Sequence, residues 1–289
     1  MKRAIITDEV SQDLARAVSI AKSFDLDGIE LRSAWDKDAH ELSDDDIRRI
    51  REIVIEEGLE VSCIASPSFK CSLFNDIEYQ AHLRILERSS IVARKLNCSL
   101  VRGFTFWDEG VFEENLPLIV RRLSGAEPIL RDHQVRLAVE YDPGTSANCS
   151  QKLRSVLDSL NPEYFGALWD PGNSIYVREA EKFPEDYRRL QDYILHVHVK
   201  DVTTKTPSRE PEACQVGYGE VGFGAVFRQL AEDKYAGWLS LETHYRLQSA
   251  ITDDLLSRPK GSAFSYGGEE ASIESLKSWS QIMKEEGLL

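Results

Sequence analysis

The chain has 289 residues, of which 35 are basic and 49 acidic, giving a formal net charge of -14 alongside 42% hydrophobic and 29% charged residues. That is the composition of a folded globular protein long enough for an α/β barrel in one unit. Its basic residues are scattered among acidic ones, so the overall field repels polyanions and excludes nucleic acid as a default partner, while a few local Lys or Arg residues can still reverse the sign within one pocket.

In chain order, apolar clusters of strand length alternate with longer amphipathic stretches. "AIITDEV" (4–10) reads as a strand and "DLARAVSIAKSFDL" as the helix after it. The opening "MKRAIITDEV" enters that strand without the apolar core of a signal peptide, and no apolar run in the chain approaches membrane-spanning length. "GIELRSA" (28–34) precedes "SDDDIRRIREIVIEEG", a helix with Ser43 to cap it, acidic residues in its first turn and Gly58 past its end. "EVSCIAS" (60–66) leads through Phe69 to the helix "YQAHLRILERSSIVARKL". "SLVRGFTF" (99–106) precedes a helical stretch over 111–132, its edges broken by Pro117 and Pro128.

The second half repeats the pattern with "VRLAVEYD" (135–142), "FGALWDPGNS" (165–174), "YILHVHVKDV" (193–202) and "WLSLETHY" (238–245), closed by the helix "EASIESLKSWSQIMKEEG". Eight strands separated by helices predict an α/β fold of the (β/α)8 TIM-barrel type; a doubly wound open sheet usually has fewer strands and a Gly-rich first turn that is missing here. With no linker or composition shift, one barrel domain over 1–289 is expected. The turn-rich segment 203–224, "TTKTPSREPEACQVGYGEVGFG", is expected to be a long loop over the barrel mouth. The cysteines Cys63, Cys71, Cys98, Cys149 and Cys214 are odd in number and form no C-x-x-C pair, which fits a reducing compartment, and a cytoplasmic protein is expected.

Alternation along "YILHVHVKDV" puts His196, His198 and Lys200 on one face of a strand and Leu195, Val197 and Val199 on the other. Catalytic groups of such barrels come from the C-terminal strand ends. The last polar residues of the four late strands are Glu140, Asp170, His198 and Glu242. Singly, each carboxylate is as readily a helix cap or half of a salt bridge. Together, three acids and an imidazole directed into one mouth would repel and be costly to bury without a cation. The set suits one divalent ion, Mn2+, Mg2+, Co2+ or Zn2+, with room for substrate oxygens.

His196, one layer deeper, is expected to be a packed, hydrogen-bonded interior residue. Lys200 either polarises a substrate oxygen or pairs with Asp201 or another rim acid. His244 either touches substrate or orients Glu242. Glu30, Arg32 and Arg102 face inward by parity; Glu30 is either in an ion pair with an inward arginine or in contact with substrate. Trp35, Phe69, Phe106 and Trp107 follow strand ends, where rings stack on sugars or simply pack. His40 and Lys70, in loops after strands two and three, either enter the pocket or, the preferred reading for each alone, are solvated surface groups; Arg121, Arg122 and Arg131 are read as solvated charges. Glu220 either faces the mouth or caps the next helix.

The series Glu140, "DPGN", "HVKD", "GYGEVGFG" and "SLETHY", with "DGIELR" as an early marker, resembles the sugar phosphate isomerase/epimerase superfamily of xylose-isomerase-like barrels along nearly the whole chain. The resemblance implies one Mn2+-type ion on Glu140, Asp170, His198 and Glu242, with Glu140 and Glu242 as the acid and base on opposite sides of a substrate carbon. Asn173, Lys200, Arg102 and His244 are the expected substrate contacts. Epimerases of the superfamily have a histidine where this chain has Asn173 and an arginine where it has Thr204; the endonuclease branch needs more histidines than the six present. The expected activity is a metal-dependent isomerase or epimerase of a small sugar, sugar phosphate or related polyol. The alternatives are a lyase on the same site, such as a dehydratase or 3-keto-sugar eliminase, and a non-catalytic sugar-binding subunit. A homodimer is the usual expectation for soluble enzymes.

Overall fold

The computed structural model describes residues 1–205, 210–248 and 251–289, the side chains of 253 and 256 excepted. Eight parallel strands form a nearly closed barrel: β1 (Lys2–Ile5), β2 (Gly28–Leu31), β3 (Glu60–Ser68), β4 (Leu100–Gly103), β5 (Arg136–Glu140), β6 (Phe165–Trp169), β7 (Ile194–Val199) and β8 (Trp238–Leu241). Each strand pairs with its sequence neighbour from β2 to β8, and β8 returns to β1 in the register Lys2 to Trp238 through Ile5 to Leu241. A single parallel bridge between Ile6 and Glu30 joins β1 to β2. Helices cover the outer face, as parallel strands buried on both sides require. Among the described residues no helix is long and apolar enough to cross a membrane.

Most strands end earlier than their apolar runs suggest, and the difference places the polar residues. β1 stops at Ile5 instead of Val10, and Thr7–Val10 forms one fully buried helical turn that carries Asp8 and Glu9 inward. β2 stops at Leu31, followed by a short hairpin of Ser33–Ala34 with Lys37–Asp38. Glu140 is the last residue of β5, Asp170 and Glu242 follow β6 and β8 by one residue, and His198 is the last but one of β7. The stretch 111–132 is two helices, Phe112–Ser124 and Glu127–His133; Pro128 sits in the first turn of the second, where its missing N–H costs nothing, but Pro117 lies inside the first.

Segment 203–224 is more ordered than a plain loop: Asp201–Thr203 pairs antiparallel with Glu212–Cys214, while 206–209 lie outside the described residues. The "GYGEVGFG" turn wraps around the buried carboxylate of Asp201. Asp201 accepts the backbone N–H of Val202 (3.0 Å), Gly217 (2.8 Å), Gly219 (3.0 Å) and Val221 (3.2 Å). The carboxylate comes so near that a Cβ at Gly219 would collide with it. Glu220 neither faces the mouth nor caps the next helix; it accepts from the Thr204 backbone N–H at 2.7 Å.

Removing the Asp201 carboxylate strands these donors, and each buried unsatisfied donor costs about 1–3 kcal/mol. Asp201→Ala is therefore expected to lower stability by roughly 2–4 kcal/mol and to speed amide exchange at 216–221. An unchanged unfolding midpoint would contradict this account of the turn.

Candidate metal centre and cavity

One ligand atom from each of Glu140, Asp170, His198 and Glu242 lies within 4.8 Å of the others, and all four side chains are buried. The strand ends bring them together as the alternation predicts. His198 Nδ1 faces the three carboxylates, 3.5 Å from Glu242 Oε2, 3.9 Å from Glu140 Oε1 and 4.0 Å from Asp170 Oδ2. It is buried and has no hydrogen-bond partner, whereas Asp170 Oδ2 is met by Lys200 Nζ at 2.5 Å.

What orients His198 is Glu30. Its carboxylate accepts from His196 Nε2 at 2.7 Å and His198 Nε2 at 3.2 Å. An ionised carboxylate only accepts, so each imidazole carries a proton on Nε2, and His198 Nδ1 is turned to the acids; burial acts to lower the His198 pKa, but Glu30 and Glu242 overcome it and hold it well above the usual imidazole value. Burial acts to raise the Glu30 pKa, but the two imidazoles overcome it and hold the group well below the usual carboxylate range. The expected arginine partner of Glu30 is thus replaced by histidines, and His196 is the packed, bonded residue its depth suggests. A carboxylate behind a ligating histidine is a recurrent feature of metal sites.

Three cations balance the remaining charge. Arg32 donates to Asp8 (3.0 Å), to Glu9 (2.8 Å) and, more distantly, to Glu242 (3.4 Å). Arg102 Nη1 lies 3.3 Å from Glu140 and 3.7 Å from Glu242. Lys200 Nζ bridges Asp170 at 2.5 Å and Glu242 at 2.8 Å, pairing with these acids and not with Asp201. Burial still pushes the Asp170 pKa up to about 7 against the pull of Lys200. The donor set of three carboxylates and one unpartnered imidazole nitrogen fits a divalent ion. An ion there requires the flexible Lys200 stem to turn into the cavity beside it.

That cavity, about 590 Å3, opens on Glu140, Glu242, Arg32, Arg102, Lys200 and His244 at its inner end. Asn173 is not on its wall: its amide donates to Glu140 Oε1 (3.0 Å) and the Tyr141 carbonyl (2.9 Å), holding Glu140 from behind. His244 Nε2 has no hydrogen-bond partner, lies 3.6 Å from Glu242 Oε1, and burial holds its pKa well below the usual imidazole value. Lys70 and His40, read as surface groups, both line the cavity, and Lys70 Nζ pairs with Asp142 at 3.0 Å. Arg122 is also largely buried, paired with Asp76 at 2.6 Å.

Other expectations shift too. The described residues of 203–224 contribute nothing to the cavity wall, which is closed instead by 38–41 and by 257–260. Phe69 and Phe106 are fully buried against each other, with centroids 5.6 Å apart, and Trp35 lies against Arg49; the ring on the cavity wall is Phe104. Phe104 and Asp142 were legible by parity, two residues beyond Arg102 and Glu140. Asp8, Glu9, Glu78 and His82 carry no such signal.

The sequence model of one protein family, described as xylose isomerase-like TIM barrel, matches residues 18–281. An inosose dehydratase of Clostridium botulinum is 25% identical over 143 residues, 45% of this chain, and the match spans about half of that relative (47%). Two solved structures share the fold: a D-allulose 3-epimerase from Methylomonas sp. (TM-score 0.74, 15% identity, 98% of each chain) and a xylose isomerase-like TIM barrel protein from Mycobacterium smegmatis in complex with magnesium (TM-score 0.69, 17% identity, 98% of this chain and 92% of the other). At such identities the structural likeness speaks for the fold alone.

Replacing Glu30 by Gln keeps an acceptor but removes the charge behind His198. Divalent-ion affinity, measured by competition with a chelating dye, is expected to fall about 10–100-fold; unchanged affinity would refute this role for Glu30.

Proposed function

Because the chain belongs to the xylose isomerase-like TIM barrel family, we propose that it is a divalent-metal-dependent isomerase or epimerase of a small sugar, sugar phosphate or related polyol. The observation that carries this reading is the pair Glu140 and Glu242, both on the cavity floor beside the unpartnered His198 Nδ1. Moving a proton on carbon next to a carbonyl needs a base at that carbon and positive charge at the oxygen. Glu140, Asp170, His198 and Glu242 would hold the ion, and when bound it supplies positive charge beside the oxygen that becomes negative.

The chain's own residues do the rest. Asn173 and Arg102 fix one oxygen each of Glu140, while Arg32 and Lys200 fix those of Glu242. Each glutamate is therefore presented in one orientation, able to take a proton from a carbon and return it. Return by the other glutamate to the opposite face inverts the centre; return to the neighbouring carbon isomerises. Lys200, with its ammonium at the same floor, donates to a substrate oxygen. Arg102 lies between the two glutamates, 3.3 Å from Glu140 and 3.7 Å from Glu242.

Loss of water after the proton has left the carbon is the second reading. It is favoured by the curated inosose dehydratase relative and by His244, whose unpartnered Nε2 on the cavity wall can serve the departing hydroxyl.

The test is a panel of ketoses, inososes and their phosphates incubated in D2O. Deuterium in an otherwise intact sugar supports the first reading, and an unsaturated or deoxy product the second. Glu140→Gln and Glu242→Gln are each expected to slow proton exchange by roughly 10²–10⁴-fold. If both variants keep full activity, neither glutamate moves the proton.

A further inference from the structure

The cavity extends well beyond the four acids and imidazole. Its volume of about 590 Å3 corresponds to roughly twenty waters at about 30 Å3 each, more than one sugar ring displaces. The outer end is built by three separate segments: the turn at 38–41, the helix bearing Glu78 and His82, and the stretch 257–260 after β8.

Acceptors and donors are unequally committed there. Glu78 is held by the Ser72 N–H (2.9 Å) and the Asn75 amide (2.8 Å), Glu41 by the Asp38 N–H (3.0 Å), and Asp142 by Lys70 (3.0 Å) and the Gly144 N–H (2.9 Å). The donors are looser. Among the described residues Arg258 has no carboxylate partner; its guanidinium lies 5.2 Å from the Trp107 ring centroid, and the same ring has Lys70 Nζ at 5.7 Å. Lys260 comes no nearer than 3.8 Å to Glu41 and 3.9 Å to Asp38, and His40 Nδ1 is buried without a partner. A guanidinium with no carboxylate on it keeps N–H groups free, and its planar fork matches carboxylate and phosphate oxygens. Asp38, Glu41 and Glu78 outnumber Arg258 and Lys260 on this wall, so the sign of the field is not reversed there; what the wall offers an anion is the guanidinium of Arg258, which no described carboxylate engages.

We infer that the outer end is an oxyanion subsite: the substrate carries a carboxylate or a phosphate at the end remote from the reacting carbon, and Arg258 binds it with help from Lys260 and His40. The assignment of the reacting end rests on the function proposed above; the subsite itself does not. An extended acidic sugar then spans the cavity, its carbonyl at Glu140 and Glu242 and its anionic group some way up the wall past Phe104.

Binding of inorganic phosphate and of acetate is measured by calorimetry on chelator-treated protein and on the Asp170→Asn variant, which removes ion-mediated anion binding at the inner end. Saturable binding of at least one anion is expected in both proteins, weakened about tenfold or more by Arg258→Gln and less by Arg258→Lys. Stronger binding of phosphate points to a phosphate ester, and stronger binding of acetate to a sugar acid. Arg258 is exposed, so unfolding midpoints should match those of the parent. Absence of saturable binding, or equal binding after Arg258→Gln, overturns the subsite. Should the D2O panel fail while anion binding persists and depends on Arg258, the subsite stands and the proposed reaction does not.

Discussion

Three carboxylates turned toward one imidazole in a buried space are the constraint around which this barrel is arranged. Glu140, Asp170 and Glu242 are at most 2% exposed, and their mutual repulsion in so dry a place has to be offset by positive charge. Arg32, Arg102 and Lys200 supply part of it. Each is itself buried and held to more than one acceptor, so none is free to relax toward solvent. The strain that remains shows in Asp170, whose pKa is pushed up by burial despite an ammonium at 2.5 Å. A doubly charged cation at the focus of the four ligands would remove it.

The arrangement is layered. Behind the ligands, Glu30 ties His196 to His198, Asn173 braces Glu140, and Asp8 and Glu9 clamp the Arg32 that reaches Glu242. In front lies a cavity whose wall mixes charged side chains with apolar ones such as Ala65, Pro67, Ile85 and Phe104. Rigid strands carry the inner end and loops the outer end, the usual division in such barrels between positioning the chemistry and recognising the substrate.

Much of this was legible in the amino-acid sequence because strand parity is a rigid rule. It places Glu140, His198 and Arg102 inward, and it puts His196 one layer below its neighbour. The eight-strand count also survives, because parallel strands buried on both faces leave clear apolar runs. What stays hidden depends on contacts far apart in the chain. Asp8 and Glu9 look like the end of a strand, and only the turn at Thr7–Val10, closed against Arg32, shows them to be interior. His40 and Lys70 look like surface loop groups because nothing local says that 257–260 arrives opposite them. Arginine seemed the natural partner for Glu30, yet parity on β7 already offered two imidazoles at the same depth.

The account stands or falls on whether those four side chains bind an ion. The most direct measurement is equilibrium titration of chelator-stripped protein with Mn2+, followed by its electron paramagnetic resonance signal. The account predicts one ion per chain, with that site lost in Asp170→Asn while the unfolding midpoint is retained. No stoichiometric binding, or equal binding after the substitution, would contradict it.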